Sequence, residues 1–307
     1  MALATAIEER TKEQIPAKNL VSLARIMVAT DFSVYSDQAL DYALSIARRF
    51  HSKIFLTHVI SLAGHGMMEP EVGAPSHEEL RNFAKEDIKK IEESGRLYGV
   101  PYEVVIEEGA LWAALENLIQ KYEIDLLVLG THGKSGPLKV LFGSSAEEIF
   151  RQARVPVMTV GPAVTGEAPF EAEFKNILFA TDFGPGADRE VAFAFALAQE
   201  HRSKLMLLHV IPHRNNVFDR DTILERETIT RQLQELLPVE SDLLCKPEFH
   251  LVNGQPVEET LRFANETKAD LIVIGAKKRE NLAGHIPHTK AYRIVCGARC
   301  PVLTIKS

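Results

Sequence analysis

The 307-residue sequence contains no apolar run approaching the length of a bilayer span, so a membrane-spanning helix is not expected. Cysteine is scarce. Cys245, Cys296 and Cys300 form an odd, unevenly spaced set, which argues against a disulfide framework and for reduced thiols in a cytoplasmic protein. Basic charge is not in excess: 35 Lys and Arg face 42 Asp and Glu, for a net charge of −7. A nucleic-acid partner is therefore not expected, because neutralising a phosphate backbone calls for a basic face. Residues 1–18 carry both signs of charge and lack a continuous apolar core, so they do not read as a secretory signal. Two common phosphate-binding signatures are missing as well. No Gly-x-Gly-x-x-Gly follows the first strand-like run. Gly133-Lys134-Ser135 falls short of a Walker A loop, because Val128 stands where that loop needs its first glycine.

What is present is an ordinary globular composition, 46% hydrophobic and 25% charged, over a length that suits two domains. The chain repeats itself. Ile26-Met-Val-Ala-Thr-Asp-Phe32 matches Ile177-Leu-Phe-Ala-Thr-Asp-Phe183, and Ser52-Lys-Ile-Phe-Leu-Thr-His-Val-Ile60 matches Ser203-Lys-Leu-Met-Leu-Leu-His-Val-Ile211, both offset by 151 residues. Asp125-Leu-Leu-Val-Leu-Gly130 matches Asp270-Leu-Ile-Val-Ile-Gly275, and Val155-Pro-Val-Met-Thr-Val160 matches Cys300-Pro-Val-Leu-Thr-Ile305, both offset by 145. Four collinear matches mean a duplicated domain. The Gly- and Pro-bearing stretch 161–170 reads as the joint. The expected organisation is an N-terminal arm (1–22), a first domain (23–162), a linker (163–173) and a second domain (174–307).

Each copy alternates short, apolar, β-branched runs with helical patterns. In the first copy the strand-like runs are 26–29, 54–59, 104–106, 126–129 and 157–160. They are apolar on both faces, as in a parallel sheet covered by helices. Ala39, Leu40, Ala43, Leu44, Ala47 and Phe50 have helical spacing. Ser76 and Glu79, and again Ser144 and Glu147, have the spacing of a capping box at a helix start. Helices alternating with strands predict an α/β fold of open, doubly wound parallel sheets with right-handed crossovers.

The segment between Gly130 and Ser144 carries the chemistry. It leaves a strand-like run and ends at a helix start, where N–H groups are unpaired and the helix dipole favours an anion. Gly130 and Gly133 allow close backbone approach to a ligand, and successive exposed N–H groups form anion-binding nests. The spacing Gly130-x2-Gly133-x9-Gly143-Ser144 resembles the nucleotide loop of the ATP-binding universal stress proteins. The resemblance covers nearly all of both halves and includes Thr30-Asp31, Thr181-Asp182 and the Val-Pro-Val that enters the last strand.

That resemblance implies two Rossmann-like five-stranded sheets of order 3-2-1-4-5, related by a pseudo-two-fold axis, with a ligand crevice at the switch point between strands 1 and 4. It implies ATP as the ligand. Ala29, Thr30, Asp31 and Val59 would line the adenine and ribose pocket. Leu129, Gly130, His132 and Gly133 would contact ribose and phosphate, and Gly143, Ser144 and Ser145 the phosphates. Mg2+ is a candidate companion near Asp31 or Ser144. Asp31 also suits a turn that binds backbone N–H groups, and Ser144 a helix cap. His58 and His209 recur at one strand position and read as structural histidines.

The second copy departs from the motif: Gly275 remains, but Lys278 and His288 replace the other two glycines. A Cβ is costly wherever a positive φ is needed, so this copy is expected not to hold ATP in the family manner. His285, His288, Cys296 and Cys300 are zinc-like residue types, but Cys300 enters a buried strand and Cys296 lies on a helix, so no metal is expected. The last strand of each copy is an edge that needs cover. Family members dimerise through it, so the two copies should pair with each other, and a further homodimer is compatible with this. No general base or arginine finger stands near the loop. The expected function is thus ATP-dependent signalling in stress through a partner the sequence does not name. A slow ATPase or phosphotransferase and a nucleotide-free scaffold are the alternatives.

Overall fold

The computed structural model describes residues 21–61, 76–131, 144–164, 174–212, 220–237, 244–276 and 289–306. The first copy contains β1 (Arg25–Ala29), α1 (Val34–Phe50), β2 (Lys53–Ile60), α2 (His77–Glu93) and β3 (Tyr102–Glu108). It continues with α3 (Leu111–Lys121), β4 (Leu126–Gly130), α4 (Ser144–Gln152) and β5 (Val157–Val160). The second contains β6 (Asn176–Ala180), α5 (Ala187–His201), β7 (Lys204–Ile211), α6 (Arg220–Glu235) and β8 (Lys246–Asn253). Then follow α7 (Pro256–Glu266), β9 (Leu271–Ala276), α8 (Lys290–Gly297) and β10 (Val302–Lys306).

Local sequence accounts for these elements. In β1, Ile26 and Val28 face one core cluster and Met27 the other, so the strand is buried on both sides. The clusters divide the helices as a doubly wound sheet requires. Residues of α1, α2, α5 and α6 pack on one face, and those of α3, α4, α7 and α8 on the other. The apolar stripe of α1 is buried through Ala39, Leu40, Ala43, Leu44 and Ala47. Helix α2 opens with the expected capping box. Ser76 N–H donates to Glu79 Oε2 at 2.7 Å, and Glu79 N–H donates to Ser76 Oγ at 3.3 Å. Helix α4 begins at Ser144, where the sequence places its start; its cap lies outside the described residues.

The sheet order is β3-β2-β1-β4-β5-β10-β9-β6-β7-β8. Each copy therefore has the expected internal order 3-2-1-4-5. The expected pairing of the copies through their last strands joins the two sheets. Strands β5 and β10 pair antiparallel, with Val302 opposite Thr159, Leu303 opposite Met158 and Thr304 opposite Val157. Thr159 Oγ1 donates to Val302 O at 3.2 Å across this seam. Lys306 Nζ donates to Arg151 O at 2.6 Å. The result is one ten-stranded sheet.

Two residues lie at the borders of the arm and the linker read from the sequence. Val21 and Val164, assigned by sequence to those segments, are buried members of the core on the α1 side. They are short apolar side chains next to a strand end, where burial costs little entropy and removes apolar surface from water. Among the described residues, no helix is long and apolar enough to cross a membrane.

The seam strand gives a direct stability test. Leu303 is 1% exposed at the centre of the β5–β10 pair. Leu303→Ala should cost about 2–5 kcal/mol in chemical denaturation. Ile223→Ala, at an exposed position on α6, should stay within about 0.5 kcal/mol of the parent.

Candidate functional site

The crevice forms where β1 and β4 lie side by side and their chains leave in different directions. Ala29 pairs with Thr57 on β2 and with Leu129 on β4. Val59 lies two residues beyond Thr57, so Ala29, Val59 and Leu129 share one face of the sheet at its C-terminal edge. All three pack with the cluster on the α3 and α4 side. Ala29 and Val59 keep partial exposure, which makes an apolar floor open at one end.

The turn after β1 is built by its own side chains. Phe32 N–H donates to Thr30 Oγ1 at 3.0 Å and Ser33 N–H donates to Asp31 Oδ1 at 3.1 Å. Thr30 Oγ1 also lies 3.1 Å from Ser36 Oγ. Phe32 takes a φ of 60°, a conformation costly for a residue with a Cβ. Its ring lies 4.6 Å from that of His58. His58 Nδ1 sits 2.8 Å from Thr30 O, so that nitrogen carries the proton and the histidine clamps the turn. Asp31 thus performs the turn role open to it in the sequence.

The strand β4 delivers Gly130 to the same edge. A Cβ there would lie 2.8 Å from the Tyr35 carbonyl carbon and 2.9 Å from Ser36 N. The first turn of α1 packs its backbone directly on Gly130, and packing alone therefore demands glycine. The spacing of the loop credits this glycine to ligand approach and gives no hint of the helix. His132, Gly133 and Gly143 lie outside the described residues. Ser144 and Ser145 form the first turn of α4, where helical N–H groups lack intrahelical acceptors. Ala29, Thr30, Asp31, Val59, Leu129 and Gly130 are therefore brought to one edge of the sheet.

The second copy repeats the turn but not what faces it. Phe183 N–H donates to Thr181 Oγ1 at 3.0 Å, Gly184 N–H donates to Asp182 Oδ1 at 3.1 Å, and His209 Nδ1 lies 2.9 Å from Thr181 O. Phe183 has a φ of 55°. The apolar floor recurs as Ala180, Val210 and Ile274. At Gly275, however, a Cβ would lie 1.9 Å from Glu190 Oε1. A carboxylate that is 6% exposed fills the space taken by helix backbone in the first copy. Glu190 corresponds to Ala39 in the repeat. A lone acid in an otherwise apolar helical stripe was the signal that could have found it. Thr289, which aligns with Ser144, caps α8 by accepting from Tyr292 N–H at 3.2 Å.

The family model of the universal stress proteins matches residues 23–161 and 173–306. The chain belongs to the universal stress protein family. A universal stress protein of Mycolicibacterium smegmatis is 23% identical over 295 residues, covering 92% of this chain and 96% of its own. One from Methanocaldococcus jannaschii is 29% identical over 143 residues, covering 44% of this chain and 81% of its own. The crystal structure of a universal stress protein from Archaeoglobus fulgidus matches with a TM-score of 0.69 at 19% identity, over 93% of this chain and 99% of that one. The tandem fold is thus shared along nearly the whole chain.

As for metals, Cys300 is buried and its thiol is pushed up to about 12 by that burial, which opposes the thiolate a metal needs. His285 and His288 lie outside the described residues. Among the described residues, no three His, Cys, Asp or Glu side chains cluster as a metal site.

The two glycines should respond differently to the same change. Gly130→Ala meets backbone and should cost about 1–3 kcal/mol by overpacking. Gly275→Ala should cost a similar amount, but its cost should fall markedly in a Glu190→Ala background. A double-mutant cycle by urea denaturation reads this coupling; equal costs in both backgrounds would contradict the packing assigned to Glu190.

Proposed function

We propose that this universal stress protein binds ATP in its first domain and works as a nucleotide-dependent stress-response or signalling protein in the cytoplasm. The first domain would span 23–162 and the second 174–307, joined by the linker 163–173 and preceded by the arm 1–22. The observation that carries the reading is the convergence at the switch point of the first domain. The apolar floor of Ala29, Val59 and Leu129, the Asp31 turn and the start of the Gly130 loop meet at one sheet edge. Open α/β sheets bind ligands at such a point.

In this reading the base rests on the apolar floor, Asp31 faces the ribose, and the loop wraps the phosphates. The loop glycines Gly133 and Gly143 and His132 complete the site, and the first turn of α4 at Ser144 and Ser145 closes it with unpaired N–H groups and the positive end of the helix dipole. Mg2+ would neutralise phosphate charge beside Asp31 or Ser144. ATP would act by favouring one arrangement of the loop, which a partner reads. The second domain holds no ATP in this manner. Lys278 and His288 stand at its loop glycine positions, and the buried Glu190 side chain occupies the space against Gly275 where its loop departs, which leaves less room for a phosphate.

Mass spectrometry of protein isolated without added nucleotide should recover about one ATP per chain. Gly133→Lys, which copies the second domain, should abolish it. A ligand present at 100 times its Kd should stabilise the parent by about 2.7 kcal/mol, seen as a thermal shift absent from the variant. Two nucleotides per chain would overturn the assignment of the second domain, and none, with no thermal shift, would overturn the ATP reading.

A further inference from the structure

Away from both crevices, a cavity of about 640 Å3 opens between the two copies. Its described lining comes from the last turn of α1 (Arg48, Arg49), the end of α5 (Glu200, His201, Arg202) and Lys175 just before β6. Helices α1 and α5 end immediately before β2 and β7. Within each copy, the residues that line the cavity therefore sit at the opposite end of that copy's strands from its crevice. The first copy supplies two of the cations and the second copy the rest.

The charge in this cavity is one-sided. Three guanidinium groups and one ammonium stand against the single carboxylate of Glu200 among the described lining residues. Two helix C-termini explain part of this, since cations there complement the dipole. They do not explain His201. This side chain is 8% exposed, yet neither ring nitrogen has a hydrogen-bond partner among the described residues. Its ring packs edge-on against Phe174 at 4.9 Å, and burial beside Arg49 holds it neutral, with a pKa of about 4. A buried, unsatisfied polar group costs about 1–3 kcal/mol and is rare enough in native proteins to call for a cause. Shape is not the cause. In the repeat, His201 corresponds to Phe50, which joins the same core, so an apolar ring fills this position in the other copy. The nitrogens are what distinguish the second copy, and the residue that carries them lines a cationic cavity, its nitrogens buried just behind the wall.

We propose that this inter-copy cavity is a binding site for a small polyanion bearing phosphoryl groups. Arg49 and Arg202 supply guanidinium groups that match phosphoryl oxygens, Lys175 and Arg48, whose Nη2 donates to Arg96 O at 2.8 Å, add positive charge, and His201 donates an N–H from the buried wall. The site is separate from the proposed ATP crevice. Because its lining comes from both copies, a ligand there would tie them together across the seam.

Inorganic tripolyphosphate, which lacks a nucleoside, is the probe. Isothermal titration of the full chain at physiological salt should show a binding component that survives in Gly133→Lys and weakens about tenfold or more in Arg49→Ala and in His201→Phe. His201→Phe leaves net charge at neutral pH unchanged and copies Phe50, so it should fold with undiminished stability while losing affinity, which a loose cluster of surface cations would not do. In the parent, tripolyphosphate should also shift the imidazole resonances that disappear in His201→Phe. Loss of the component in Gly133→Lys would assign it to the crevice and overturn the proposal. Binding unaffected by His201→Phe, no binding, or equal affinity for citrate would overturn it as well.

Discussion

The antiparallel pairing of β5 with β10 organises the molecule. Each is the outermost strand of its copy, and each would otherwise expose a row of unpaired N–H and C=O groups and an apolar surface. Joining them removes both edges at once. Because the pair is antiparallel while every other ladder is parallel, the strands of one copy run opposite to those of the other. The two switch points consequently open at opposite ends of one sheet. The same pairing sets α1 and α5 on a common face, where Tyr42 stacks on Phe174 at 6.1 Å. It also brings α4 and α8 together on the other face, where Phe150 and Tyr292 meet edge to face. The inter-copy cavity follows from this arrangement.

Within that frame the copies share machinery and differ in chemistry. The Thr-Asp-Phe turn, its strained phenylalanine and the clamping histidine are reproduced almost atom for atom. Such a turn is therefore a folding device common to both halves, and its presence does not distinguish one crevice from the other. The difference lies in what approaches the glycine at the end of the fourth strand of each copy. In the first copy this is helix backbone; in the second it is a buried carboxylate. One acid in place of Ala39 changes what packs against the glycine of the second crevice while leaving the fold intact.

Much of this was legible in the sequence. The repeat disclosed two copies, the apolar runs disclosed the strands to within two residues, and Ser76 with Glu79 disclosed a real capping box. These signals are local: helical and strand periodicity and short-range capping depend on residues within a few positions of one another. Where local reading went astray, a distant element had intervened. Val21 and Val164, in segments that read as arm and linker, are drawn into the core by surfaces far along the chain.

The sequence by itself determined the duplication, the α/β class, the order of elements and the loop spacing that carries the resemblance. Only the tertiary structure decided the antiparallel register in which the last strands of the copies pair. It also decided that Gly130 is required by α1, that Glu190 lies on Gly275, and that His201 is buried beside arginines of the other copy. Each of those facts is a juxtaposition of residues distant in sequence, set by packing and strand pairing across the fold. Periodicity and motif spacing report on neighbours along the chain and are silent about neighbours in space.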